Sequence, residues 1–198
     1  MRAEQRDATR EQIVSAALVA ISEAGFDGVS TRSIAARANV SQGLLTYHFK
    51  SKDLLWRAAA EHLFSLVNGT IEEVLNAADG LVQAEVQREL IRQIVYLNAS
   101  HPEFMRFMLD QGRDDNERSR WLSETYVRPL YKLFSEVMSH IPKSERPHAF
   151  YAIAGATGVI YCSAHECKRV TGLNPGSKSA IERHAEFVAR LFVPENDS

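Results

Sequence analysis

The chain has 198 residues, enough to bury about 70% of the surface its unfolded form exposes and so to fold without staples. With 45% hydrophobic and 24% charged residues it is neither disordered nor collagen-like, and a net charge of −2 excludes a uniformly basic coat for nucleic acid. Its only cysteines, Cys162 and Cys167, give no disulfide framework and point to a reducing compartment, with the cytoplasm as the expected location.

The charged stretch up to Gln12 lacks the apolar centre of a secretory signal, and no run reaches the roughly 18 apolar residues of a membrane span. Charge is unevenly spread. Up to Arg57 there are 8 basic and 6 acidic residues, and beyond it 15 and 19, a slightly basic head on an acidic body.

Ile13, Val14, Ala17, Leu18, Ile21 and Ala24 recur at helical spacing, with Thr9 placed to cap the helix and Gly25 to end it. Ser30 or Thr31 can cap a second helix running to Ala38, whose inward positions are Ile34, Ala35 and Ala38. Asn39 tolerates left-handed backbone in the turn that follows, and Ser41 can cap a third helix to about Phe49. Ser51 and Asp53 open a fourth, with Leu54, Leu55, Ala58, Ala59, Leu63, Leu66 and Val67 as its apolar stripe to about Ala77. Further helices are predicted near 83–99, 102–111, 117–140, 145–170 and 178–192. They are separated by Asp79-Gly80, His101-Pro102, the 112–116 stretch, Ile141-Pro142 and the Gly- and Pro-containing loop 171–177. No β-alternation, repeat or flexible linker interrupts them, so the chain is expected to be all-α, with a head at 1–51 and a helical body at 52–198.

Residues 31–49, TRSIAARANVSQGLLTYHF, set two short helices around a tight turn, with Ile34, Ala35, Val40 and Leu45 placed to pack them together: a helix-turn-helix pattern. Its second helix is of the kind that enters a DNA major groove. There Gln42, with an amide that donates and accepts at once, suits an adenine edge, and outward Leu44 suits a thymine methyl. Ser41 either caps its helix, the favoured reading, or donates to a phosphate; Gly43 either lets the backbone approach DNA or simply fits a crowded turn. Lys52 opposes the dipole at the start of its helix, so a nearby phosphate accounts for it better than helix stability does.

Residues 9–57, with Ile-Ala-x-x-Ala-x-Val-Ser and Tyr-His-Phe-Lys-Ser-Lys-Asp-Leu-Leu, resemble the DNA-binding domain of TetR-type (TetR/AcrR) transcriptional repressors. The resemblance implies that Tyr47 and His48 work at the DNA surface and that Thr31 and Arg32 clasp the phosphate backbone, although Arg32 also reads as a solvated charge. Asn39 stands where glycine is usual in that family. Thr46 stands where an aromatic residue is frequent, and its shorter side chain gives any DNA contact there less reach.

The resemblance also implies that the body binds an effector and dimerises, with movement of the fourth helix as the lever between body and head. Twofold pairing on two half-sites of double-stranded DNA is the ordinary route to useful affinity. The last two helices are the expected homodimer surface, with small Ala152, Ala154, Gly155, Ala156 and Gly158 and apolar Phe150, Ile153, Ile160, Phe187, Val188 and Leu191. An ordinary intramolecular core is the alternative. Candidate residues for a small, largely apolar or amphipathic effector are Tyr96, Met105, Met108, Trp121, Tyr126, Tyr161 and His165.

Cys162, His165, Glu166 and Cys167 spread around a helix axis rather than converging on an ion, so no metal or other cofactor is expected. Repression of transcription, relieved by the effector, is the expected function, with activation of some promoters also compatible. The rivals are a helical enzyme and a protein-binding module. No phosphate loop, His-Glu-x-x-His signature or nucleophile elbow supports the enzyme, and the protein-binding module leaves the 41–52 surface without a purpose.

Overall fold

A computed structural model describes residues 2–194, helical throughout and without strands among the described residues. In chain order the helices are α1 (Arg2–Gly28), α2 (Thr31–Arg37), α3 (Gln42–His48), α4 (Lys52–Asn76), α5 (Gln83–Ser100), α6 (Pro102–Gln111), α7 (Glu117–Leu122), α8 (Arg128–Val137), α9 (Arg146–Cys162), α10 (Ala164–Thr171) and α11 (Lys178–Phe192).

Three boundaries differ from the sequence expectation, each for a local reason. Thr9 is not a cap: α1 begins at Arg2, and the Thr9 hydroxyl donates to the Gln5 carbonyl inside the helix. The expected helix at 117–140 contains a wide π turn at Ser123–Val127, closed by the Arg128 amide donating to the Ser123 carbonyl. Pro129 lies just beyond; it has no amide to donate and its ring crowds the carbonyl four residues back, strain that a wider turn relieves. The expected helix at 145–170 is broken at Ser163, whose backbone (φ −106°, ψ 29°) leaves the helical region. Gly25 ends the regular part of α1 as anticipated, at φ 72°, and a side chain there would also press on the Asp110 carboxylate.

By packing, the chain forms two compact units. One comprises the chain up to Ser65 with Arg106–Asp114, and the other comprises Leu66–Met105 with the chain from Asp115 on. By packing, the division falls inside α4. The reason lies in the first turns of α4: Leu55, Trp56, Ala59 and Leu63 are fully buried, and Trp56 stacks on Phe107 of α6 with centroids 5.7 Å apart. Leu54, expected in that stripe, is 50% exposed.

In the second unit α5 serves two cores. Leu90 joins Val67, Ile71 and Val74 of α4, while Ile91 and Val95 pack with Tyr161 of α9 and Ala185, Val188 and Ala189 of α11. Burial of each of the valine, leucine and isoleucine side chains stabilises by about 1.5–3 kcal/mol. Polar ties fix the register: Gln87 donates to the Val137 carbonyl at 2.7 Å, and Arg92 pairs with Glu186 at 2.7 Å. At Gly158, a Cβ would collide with the Met105 methyl and press on Asn98 Oδ1. A larger residue there would require the Met105 side chain to move.

Candidate nucleic-acid interface

The geometry around α2 and α3 follows from short-range chemistry. Ser30 accepts from the Ser33 amide at 3.0 Å while Ser33 Oγ accepts from the Ser30 amide at 3.1 Å, a reciprocal cap that starts α2. Asn39 takes a left-handed backbone (φ 50°), and the Val40 amide donates to the Ala35 carbonyl at 3.0 Å, closing the turn. Ser41 Oγ then accepts from the Leu44 amide at 3.1 Å. The cap is thus formed, and the Ser41 hydroxyl hydrogen remains available to donate. Ile34, Ala35, Ala38 and Leu45 are buried, and Glu23 of α1 pairs with Arg37 at the end of α2.

With Leu45 turned inward, α3 presents Gln42, Gly43, Leu44, Thr46 and Tyr47 to solvent. Tyr47 is 72% exposed and Leu44 39%, so most of the Tyr47 ring is open to a partner outside the chain. The half-buried His48 ring meets Tyr47 edge to face at 5.4 Å. A Cβ on Gly43 would meet only Ser41 Oγ, at 3.9 Å, so the turn is not crowded and the protein interior does not require glycine there. The Thr46 hydroxyl donates to the Gln42 carbonyl at 3.0 Å, which leaves it only acceptor capacity toward the outside.

Thr31 is half-buried and Arg32 exposed in the first turn of α2. For Lys52 the structure supplies a partner that the sequence reading lacks. Its ammonium lies 4.2 Å from the centroid of the Phe26 ring, a cation–π contact that offsets the unfavourable helix dipole without any phosphate.

The effector candidates do not gather in one place. Met108 belongs to the first unit and the other six to the second. Trp121 and Tyr126 form an edge-to-face pair at 5.5 Å across the π turn. Met105 is buried against Gly158, and His165 is exposed on α10. Tyr161 is buried and its hydroxyl has no hydrogen-bond partner; burial, with a smaller contribution from Tyr96, raises its pKa to about 12. Asn98 Oδ1 is likewise buried and unpartnered, although the amide nitrogen of Asn98 donates to the Ile94 carbonyl and to Thr157. Sequence reasoning missed Asn98, because mid-helix polarity alone does not reveal burial. Among the described residues no group of three His, Cys, Asp or Glu side chains is placed to hold an ion, and no helix is long and apolar enough to cross a membrane.

The surface of α2 and α3 lies within a stretch, residues 13–65, that matches the family described as bacterial regulatory proteins, tetR family. The HTH-type transcriptional regulator BetI of Burkholderia mallei is 40% identical over 191 residues, 96% of each chain. The HTH-type transcriptional repressor NicS of Pseudomonas putida is 31% identical over 113 residues, which span 57% of this chain and 52% of that one. Among solved structures, the transcriptional regulator FadR from Bacillus subtilis in complex with stearoyl-CoA superposes with a TM-score of 0.66 at 16% identity, covering 93% of this chain and 97% of that one.

Proposed function

The chain belongs to the tetR family of bacterial regulatory proteins and is a DNA-binding transcriptional regulator, not an enzyme; from that premise we propose that it represses transcription as a cytoplasmic homodimer on a twofold operator and leaves it on binding a small apolar or amphipathic effector. The head at 1–51 reads DNA, and the body at 52–198 dimerises and senses. The observation that carries this reading is the capped α3, which holds Gln42, Leu44 and Tyr47 out to solvent on a fixed turn.

Placed in a major groove, α3 sets the Gln42 amide against an adenine edge, Leu44 against a thymine methyl and the Gly43 backbone close to DNA. Tyr47, His48, Thr31, Arg32 and Lys52 then serve the phosphate backbone, which fixes register rather than sequence. Lys52 does so from an ammonium positioned over the Phe26 ring. The body offers buried polar atoms in an apolar interior, the Tyr161 hydroxyl and Asn98 Oδ1, which suit the polar tip of an amphipathic molecule. A protein of the same fold that holds stearoyl-CoA supports an amphipathic ligand class. Because α4 contributes residues to both units, a ligand that favours one setting of α4 changes the spacing of the paired heads; without such differential affinity it releases nothing.

Selection of binding sites from randomised duplex DNA, followed by titration of the winner at several salt concentrations, tests the reading. A twofold-related motif with steep salt dependence is expected. Gln42→Ala is expected to weaken binding by about 1–3 kcal/mol and to relax preference at one position per half-site, while Tyr47→Ala weakens binding to all sequences. No enrichment by folded protein would refute the proposal. A panel of amphipathic molecules added to the operator complex then identifies the effector by release.

A further inference from the structure

From Glu4 to Gln12 every residue of α1 is exposed except the half-buried Thr9, and burial of the helix begins after them at Ile13. Such a polar overhang buries no core and gains little from propensity alone, so its charges call for an explanation. They are sorted around the axis. At about 100° per residue, Arg6 and Arg10 fall within about 40° of each other and in line with Ile13 and Ala17, whereas Glu4 and Glu11 lie about 100–160° from either and Asp7 about 60–100°. The face that is apolar along Ile13, Ala17 and Ile21, where it enters the core, therefore continues outward as a basic face. Arg10 lies over the Phe49 ring, 5.3 Å from its centroid, and Phe49 is the residue that ends α3 directly after Tyr47 and His48. One turn farther out Arg6 is 64% exposed and makes a loose 3.7 Å approach to the equally exposed Asp7.

We propose that this overhang is a second DNA grip, in which Arg6 and Arg10 bind phosphates flanking the half-site read by α3. Three features point to that occupant. The basic face is continuous with the exposed end of α3, Glu4 and Glu11 lie on the opposite side with Asp7 alone at its flank, and a guanidinium held over a ring by its central carbon keeps N–H groups for a phosphate oxygen. The inference rests on the DNA-binding reading of α3 and adds affinity without base preference.

The test uses the full chain and the selected operator. For Arg6→Ala with Arg10→Ala, the slope of log affinity against log salt is expected to fall by about 0.9 for each phosphate no longer neutralised in each half-site. Affinity at moderate salt falls tenfold or more, while the selected base sequence stays the same. Arg10→Lys keeps the charge and is expected to retain most of the slope. Arg6→Ala alone touches no core residue and is expected to fold as wild type, so its own reduced slope separates a weakened phosphate grip from a weakened fold. Wild-type slope and affinity in Arg6→Ala and in the double variant would overturn the grip and leave the α3 reading intact. Failure of the wild type to bind any duplex would sink that reading instead.

Discussion

A buried hydroxyl without a partner costs free energy, and Tyr161 carries that cost inside the core formed by α5, α9 and α11. Its pKa is raised from 10.0 to about 12, by burial first and by Tyr96 second. In the unfolded chain the phenol ionises near 10, while in the fold it stays neutral until about 12. Its contribution is therefore fully present below pH 10 and is lost as pH rises through that window, up to about 2–3 kcal/mol. Tyr161→Phe is expected to leave stability at pH 7 unchanged or raise it by about 1 kcal/mol, and to flatten the decline between pH 10 and 12. Denaturant unfolding at pH 7, 10 and 12 checks both; a loss of 2 kcal/mol or more at pH 7 would mean that the hydroxyl has a partner in solution. Residue roles set by near neighbours were legible in the sequence, as with the Ser41 cap and the left-handed Asn39. Those set by distant partners were not: Lys52 meets Phe26, and Met105 meets Gly158, a residue 53 positions away.

At the scale of elements, the turn between α2 and α3 decides where the reading surface points. Asn39 holds φ 50°, a region that costs a β-branched residue roughly 1–2 kcal/mol more than it costs Asn or Gly. Asn39→Val is expected to lower stability by that amount and to weaken operator binding beyond the loss of folded protein, because α3 shifts against α2. Asn39→Gly is expected to bind as wild type. Equal stability of the Val variant in denaturant melts would show that the turn relaxes at no cost. Helix limits near 31–38, 42–48, 83–100, 102–111 and 178–192 were readable because caps, prolines and glycines act locally. The π turn at Ser123–Val127 and the break at Ser163 were not, since apolar periodicity runs through both without a gap. The exposure of Leu54 was equally hidden, as helical spacing does not say which side of a helix end the core reaches.

For the whole molecule, the question is what covers the outward face of α9 and α11. The residues expected to dimerise divide into two sets. Gly158, Val188, Ile153 and Ile160 serve this chain's own packing, and Phe150 meets Tyr131 and Phe134. By contrast Phe187 and Leu191, joined by Tyr151 and Val159, which the sequence expectation did not include, are 46–71% exposed, and a Cβ on Gly155 would meet nothing. Tyr151, Gly155 and Val159 recur every four residues on α9, as do Phe187 and Leu191 on α11, so each helix offers one stripe. An apolar surface of this kind left to water is a liability unless a second copy covers it. Two heads on one dimer gain the second half-site intramolecularly, an advantage of about 10²–10⁴ in affinity. Phe187→Glu with Leu191→Glu, both on exposed positions, is therefore expected to give a folded monomer with wild-type helical content and at least about a hundredfold weaker operator binding, each half-site being held alone. Light scattering gives the mass and a salt titration the affinity. A double variant that stays dimeric and binds normally would place the twofold contact elsewhere on the chain, and one that is monomeric yet binds normally would mean that a single head suffices.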